Sequence, residues 1–156
     1  MQTFLPYPHW QDSAAVLDDR RLRKQTWECR SIMRALAGIS KGWANHCITR
    51  MWTGNEWALW FFWDACWGEA KKRGLNGVAD SGDMMPFTHF PGSYKDGPPP
   101  VWLRDERIFT AYRSHLLAKD EKFYRQWGWD EPAVSGYCAP DKNGNWKMYS
   151  TKEQKQ

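Results

Sequence analysis

Asn55-Glu-Trp-Ala-Leu-Trp-Phe-Phe-Trp-Asp-Ala-Cys-Trp-Gly-Glu-Ala-Lys-Lys-Arg-Gly74 is the stretch on which the fold turns. Asn55 suits a helix cap, Glu56 opens the first turn, and Lys71, Lys72 and Arg73 complement the C-terminal dipole ahead of Gly74. Between these ends Trp57, Leu59, Trp60, Phe61, Phe62, Trp63 and Trp67 leave hardly a polar side. The helix is therefore expected at the centre of the core. Its apolar run, Trp57 to Trp67, is broken by Asp64 and too short to cross a bilayer, so no membrane partner is expected.

Working outward, Asp12 or Ser13 can cap a helix starting at Ala14. From Leu22 the apolar positions Leu22, Cys29, Ile32, Met33 and Leu36 keep helical spacing until Gly38. A short helix is expected over residues 44–52. Residues 75–100 are rich in Gly, Pro, Asp and Ser and read as a long loop, and loops of that length are often functional. A further helix is expected from Leu103 to Ala118, launched by Pro98-Pro99-Pro100. The tail from Trp127 carries Gly, Pro and Asn with scattered aromatics. Strand signals are weak, so the chain reads as mainly α: a compact helical domain over residues 1–149 with long loops, and a flexible tail over 150–156.

The length of 156 residues suits one domain, and the net charge of +4 is mild enough that its distribution matters more than its total. Twelve tryptophans exceed what any site needs, so most belong to the core, with a few left as stacking platforms for bases. Cys29, Cys47, Cys66 and Cys138 have no CxxC pairing or metal-ligand spacing and read as buried free thiols of a reducing cytoplasm. The first residues lack the basic region and apolar stretch of a signal peptide. The histidines are too scattered to suggest a metal, and no cofactor motif (Walker loop, dinucleotide fingerprint or nucleophile elbow) is found.

The chemistry concentrates in Leu17-Asp-Asp-Arg-Arg-Leu-Arg-Lys-Gln-Thr-Trp-Glu28-Cys-Arg-Ser-Ile-Met-Arg34, which holds five arginines, one lysine and a single glutamate. On a helix, Arg21, Lys24, Gln25 and Glu28 line one flank of the core face. Arg23, Trp27, Arg30 and Arg34 line the other. One reading is a solvated helix with weak surface pairs. The other is a carboxylate, Glu28, at the rim of a cleft whose cations hold phosphates.

On the later helix Asp105, Glu106 and Arg113 share a side with Phe109, Tyr112 and Leu116. They form either a structural ion-pair network or the border of the same cleft, with Arg113 and Lys119 on a phosphate. His115 lies toward that edge and reads more simply as a packing residue. Asn45 and His46 are explained by capping or packing, with the cleft as the alternative. His89, between Phe87 and Phe90, could reach a substrate.

These residues resemble the pyrimidine-dimer DNA glycosylase family of the phage endonuclease V type, and more closely its bacterial and phage relatives. Leu17-x-Asp19-x-x-Leu22 followed by Glu28 has the spacing of the family's leucine, aspartate and leucine before its catalytic glutamate. Glu69-Ala-Lys-Lys-Arg-Gly-Leu-Asn76 looks like the family's helix end. Phe123-Tyr124-Arg125 with Trp127 looks like its later aromatic-basic segment. Trp43-Ala-Asn-His46, Met51-Trp52 and Trp102-Leu-x-Asp-Glu-Arg107 look like marks of the less studied branch.

The resemblance extends over roughly residues 1–130 and implies an α-helical enzyme that binds damaged duplex DNA, kinks it and flips a base. It implies an N-terminal α-amine as nucleophile on the sugar C1′, here at Met1 with Gln2 behind it, and Glu28 as the carboxylate that assists. Gln2 stands where the family has a small residue. Either the Met1 amine serves or the lyase step is absent. Trp27 and Ser31 stand where the family has arginines, with Arg30 as the substitute for the second.

The expectation is thus a base-excision enzyme with Glu28 catalytic and Arg20, Arg21, Lys24, Arg30, Arg113 and Lys119 on phosphates. Trp27 would stack or wedge near the extruded base, with no metal or cofactor and the protein acting as a monomer. The alternatives are a non-catalytic module for modified or distorted duplex, or another enzyme of modified-pyrimidine DNA metabolism.

Overall fold

A computed structural model describes residues 2–84 and 98–150. Its helices are α1 (Trp10–Val16), α2 (Asp19–Leu36), α3 (Cys47–Trp52), α4 (Glu56–Lys72), α5 (Ser81–Met84), α6 (Glu106–Lys119) and α7 (Glu121–Tyr124). A 3-10 turn, Val101–Arg104, leads into α6. The expected mainly helical fold is what the chain adopts. Phe87, His89 and Phe90 lie outside the described residues, as do Met1 and the last six residues.

α4 spans the expected residues and packs chiefly on α2 and α1. Its inner side, Ala58, Leu59, Phe62, Trp63, Cys66 and Ala70, is buried, but Phe61 is 39% exposed. The helix is central without being enclosed. The Asn55 side chain makes no cap; its amide donates to the Thr53 carbonyl, and Glu56 accepts from the Gly54 N–H instead.

The indoles make the core. Trp52 and Phe62 stack 7° from parallel with centroids 6.2 Å apart, and Trp10 and Trp102 lean on the pair. Burying an indole leaves its N–H needing an acceptor. Trp63 donates to the Ala79 carbonyl at 3.2 Å, and Trp102 to that of Met51 at 3.0 Å.

The single helix expected from Ala14 is instead two, broken at Leu17–Asp18. Both residues are extended, and Asp18 Oδ1 accepts the Arg21 N–H at 3.0 Å, capping α2. The carbonyls freed at the end of α1 are taken from across the molecule. Arg73, at the C-terminus of α4, donates to the Leu17 oxygen at 2.6 Å and to that of Ala15 at 2.7 Å, and pairs with Glu69 and Asp19. A residue read as a dipole complement is therefore the pin of the α1–α2 corner.

α3 begins at Cys47, three residues later than expected, because His46 Nδ1 accepts the Ile48 N–H and caps it there. The tail departs most from the sequence reading. Gly136–Pro140 (β1) and Trp146–Ser150 (β2) pair antiparallel, with Gly136 opposite Ser150 and Pro140 opposite Trp146. Asp141 Oδ1 accepts from the Asn143 and Asn145 N–H groups and builds the turn, with Gly144 at φ +83°. A Cβ at Gly136 would stand 2.8 Å from the Tyr149 carbonyl oxygen, so that strand position admits only glycine. β1 is buried against α6, where His115 Nδ1 accepts the Gly136 N–H at 3.1 Å.

Arg73→Ala is expected to lower stability by about 2–3 kcal/mol in urea unfolding, since two charge-assisted bonds to carbonyls are lost. Arg73→Lys should recover little, because an ammonium cannot fork to both oxygens. Burial, with Lys119, Arg21 and Lys24 nearby, brings the His115 pKa down from 6.5 to about 4. The unfolded chain therefore takes up this proton first, and stability falls as pH drops from about 6.5 to about 4, by on the order of 3 kcal/mol for this group. A shallower loss across that window in His115→Gln is the expected result, and an unchanged slope would contradict it.

Candidate functional site

Residues 3–5 run through the interior. Thr3, Phe4 and Leu5 are buried, and Thr3 Oγ1 lies 3.3 Å from Tyr112 Oη and accepts from Trp52 Nε1 at 3.4 Å. Gln25, placed by helical projection on a flank of α2, is in fact fully buried. Its Oε1 accepts the Phe4 N–H at 2.7 Å, and its Nε2 donates to the Gln2 carbonyl at 3.3 Å. This one amide fastens the chain start alongside α2, less than one helical turn before Glu28.

The result is a groove. A cavity of about 380 Å3 is lined by Gln2, Phe4, Arg20, Arg21, Lys24 and Lys119. A second, of about 300 Å3, is lined by Lys24, Trp27, Glu28, Ser31 and Trp43. Lys24 borders both, so basic groove and carboxylate recess adjoin. The Glu28 side chain is 13% exposed and that of Lys24 62%, with Lys24 Nζ 3.5 Å from Glu28 Oε1. Such a pair is worth only about 0.3–0.5 kcal/mol. The lysine is held only loosely by it.

Arg21 borders the groove while held to Asp18, and its guanidinium lies 5.6 Å over the Tyr124 ring. Burial acts to raise the Asp18 pKa, yet hydrogen bonds from Tyr124 and Arg21 outweigh it and hold the carboxyl below its usual range. Arg20 and Lys119 are exposed. Gln2, Arg20, Arg21, Lys24 and Lys119 line the groove and Lys24 and Glu28 the recess, while Trp27, projected onto the opposite flank of α2, borders the recess as well.

Other candidates are elsewhere. Arg30 turns to Asp83 on α5, with Nε 3.3 Å from Oδ1, and packs over Trp27. Its flank-mates follow: Arg23 donates to the Asn76 carbonyl at 3.0 Å and Trp27 Nε1 to that of Gly77 at 2.9 Å. Residues 76–83 thus cover that flank of α2.

Arg113 is spent on Glu131, Glu106, Thr110 and the Pro6 carbonyl. Of the two readings of α6, the ion-pair network is the one adopted, and Arg113 is corrected from phosphate contact to structural tie. Asp105 caps α6 and pairs with Arg107 at 2.6 Å. His115 is buried, stacked 5.8 Å from Phe4. None of these three borders the groove.

Asn45 is exposed and offers its carbonyl to Arg50. His46 is a cap whose pKa burial lowers to about 4, and it touches the recess only through Trp43, edge-on at 5.3 Å. Trp43 and Phe4 have no site role in the sequence reading; the Trp43-Ala-Asn-His46 resemblance is the available signal for Trp43. All four cysteines are free and buried, and burial pushes the Cys29 thiol up to about 12, which removes it as a nucleophile beside Glu28. Among the described residues no group of His, Cys, Asp and Glu could hold a metal, and no helix is long and apolar enough to cross a membrane.

No curated protein and no solved structure gives a significant match to the chain. A family model described as pyrimidine dimer DNA glycosylase matches residues 1–80. That span holds α1 to α4 and every groove residue except Lys119, and stops short of the aromatic-basic segment at Phe123. With 80 of its 156 residues matched, more than half its length, the chain belongs to the pyrimidine dimer DNA glycosylase family.

Proposed function

We propose that this protein excises a damaged or modified pyrimidine from duplex DNA, with Glu28 as the catalytic carboxylate. The observation that carries the reading is the position of Glu28 between a groove of four cations and a recess lined by two indoles. Arg20, Arg21, Lys24 and Lys119 contact the strand's phosphates there. Extruding a base costs a few kcal/mol, which those contacts and stacking on Trp27 offset.

The chemistry follows from what the groove brings together. Gln2 lines it, and the nucleophile that the family resemblance implies is an N-terminal α-amine. An unperturbed α-amine titrates near about 7.7–8.0, leaving a useful neutral fraction at pH 7. Its nitrogen attacks C1′ and the N-glycosidic bond breaks. The base leaves with the bonding pair and takes a proton, the ammonium left on C1′ loses one proton, and breaking of the C1′–O4′ bond, with O4′ taking a proton, opens the sugar to a Schiff base. Glu28 stabilises the positive charge developing on the sugar and accepts the proton from nitrogen. Removal of the C2′ proton then breaks the C3′–oxygen bond and cuts the strand. If water attacks instead, Glu28 serves as its base and the strand stays intact.

The test is a panel of lesion-bearing and modified-pyrimidine duplexes scored for released base and strand cuts. Glu28→Gln should bind within about threefold of wild type and release base at least about 100-fold more slowly. Equal release in that variant contradicts the assigned role. Binding with no release from any duplex favours a non-catalytic module, and a covalent adduct after borohydride reduction separates the amine route from the water route.

A further inference from the structure

The recess beside Glu28 carries two exposed tryptophans, each in contact with a neighbour outside the recess. Trp27 is 40% exposed and Trp43 is 42% exposed. From outside the recess, Trp27 is tied by its Nε1 to the Gly77 carbonyl at 2.9 Å, and the Arg30 guanidinium lies 5.6 Å from its ring centroid. Trp43 meets His46 edge-to-face, 5.3 Å between centroids, and His46 is itself fixed as the cap of α3. Rings already restrained lose little side-chain freedom when something stacks on them.

The polar lining is equally specific. Ser31 Oγ spends its proton on the Trp27 carbonyl at 2.8 Å and keeps lone pairs to accept from a ligand. Glu28 and Lys24 supply one charge of each sign. At about 300 Å3 the recess sits at the lower end of small-molecule pockets, a size for one heterocycle. It opens beside the basic groove through the shared Lys24, so a base swung out of a strand lying in that groove would enter it.

We propose that this recess is a slot for a single unpaired base and that Trp43 is its stacking residue. The proposal rests on the excision reading above, which it deepens by assigning the site that receives the base and a residue outside the Glu28 helix that selects for it. Every base has a π-face, so stacking on Trp43 retains an extruded base without demanding a sequence. Trp27 closes the slot on the side of α2, and Glu28 is left beside the glycosidic bond.

The experiment separates stacking from chemistry by reading affinity alone. Two duplexes are compared, one with an unpaired thymine in a single-nucleotide bulge, the other with a tetrahydrofuran residue, which has no base, at the same place. Wild type should prefer the thymine bulge by roughly tenfold. Trp43→Ala should lose that preference and keep its affinity for the tetrahydrofuran bulge, and Trp43→Phe should retain most of it. Equal wild-type affinity for the two duplexes overturns the slot while leaving excision by Glu28 untouched. A thymine preference in a protein that releases no base from any duplex keeps the slot and overturns the glycosylase reading. A preference that survives in Trp43→Ala removes Trp43 from the role, whatever the activity.

Discussion

The buried amide of Gln25 is the contact on which the groove depends. A side-chain amide taken out of water costs stability unless both ends are bonded. Here its oxygen takes the Phe4 N–H and its nitrogen serves the Gln2 carbonyl. Those bonds satisfy the Phe4 N–H and the Gln2 carbonyl and hold this segment along α2. Gln2 and Phe4 then face Arg20, Arg21, Lys24 and Lys119 across an open space instead of packing on them. Thr3, between Tyr112 and Trp52, seals the same segment from its other side.

α2 meets two different environments along its flanks, and that asymmetry separates structure from site. Arg23, Trp27 and Arg30 are met by residues 76–83, which return from α4 and supply carbonyls and the Asp83 carboxylate. Among the described residues, nothing covers Arg20, Lys24 and Glu28 in this way. The weak Lys24–Glu28 pairing leaves charge available to a ligand, whereas Arg113 and Arg73, each bonded several times over, are committed to holding elements together. Cations of one chemical type thus divide by how many acceptors the fold gives each.

Much of this was legible in the residues. The bounds of α4, the stop of α2 before Gly38, the buried thiols and the shared flank of Arg21, Lys24 and Glu28 all follow from helical periodicity and capping chemistry. What periodicity could not supply were contacts between distant segments. Asp18 reads as one more charge in a charged run until Arg73 takes the carbonyls behind it and Tyr124 donates to it at 2.6 Å. Gln25 sits at a boundary angle of the helical wheel, and only the returning N-terminal segment buries it. The hairpin was hidden because β1 is short and buried on α6. Yet Asp141-Lys-Asn-Gly-Asn145 between two aromatic-rich segments is a turn signal in its own right. Arg113 misled for the opposite reason: its partner Glu131 lies eighteen residues on, beyond any local pattern.

Lysine footprinting on a bound duplex tests most directly whether nucleic acid lies where the groove is. Lys24 and Lys119 border it, and Lys142 and Lys147 are exposed on the hairpin. If DNA lies along α2, acetylation of Lys24 and Lys119 slows on binding while Lys142 and Lys147 react as in the free protein. Protection of the hairpin lysines with Lys24 and Lys119 unchanged would place the nucleic acid on another face and remove Glu28 from the chemistry.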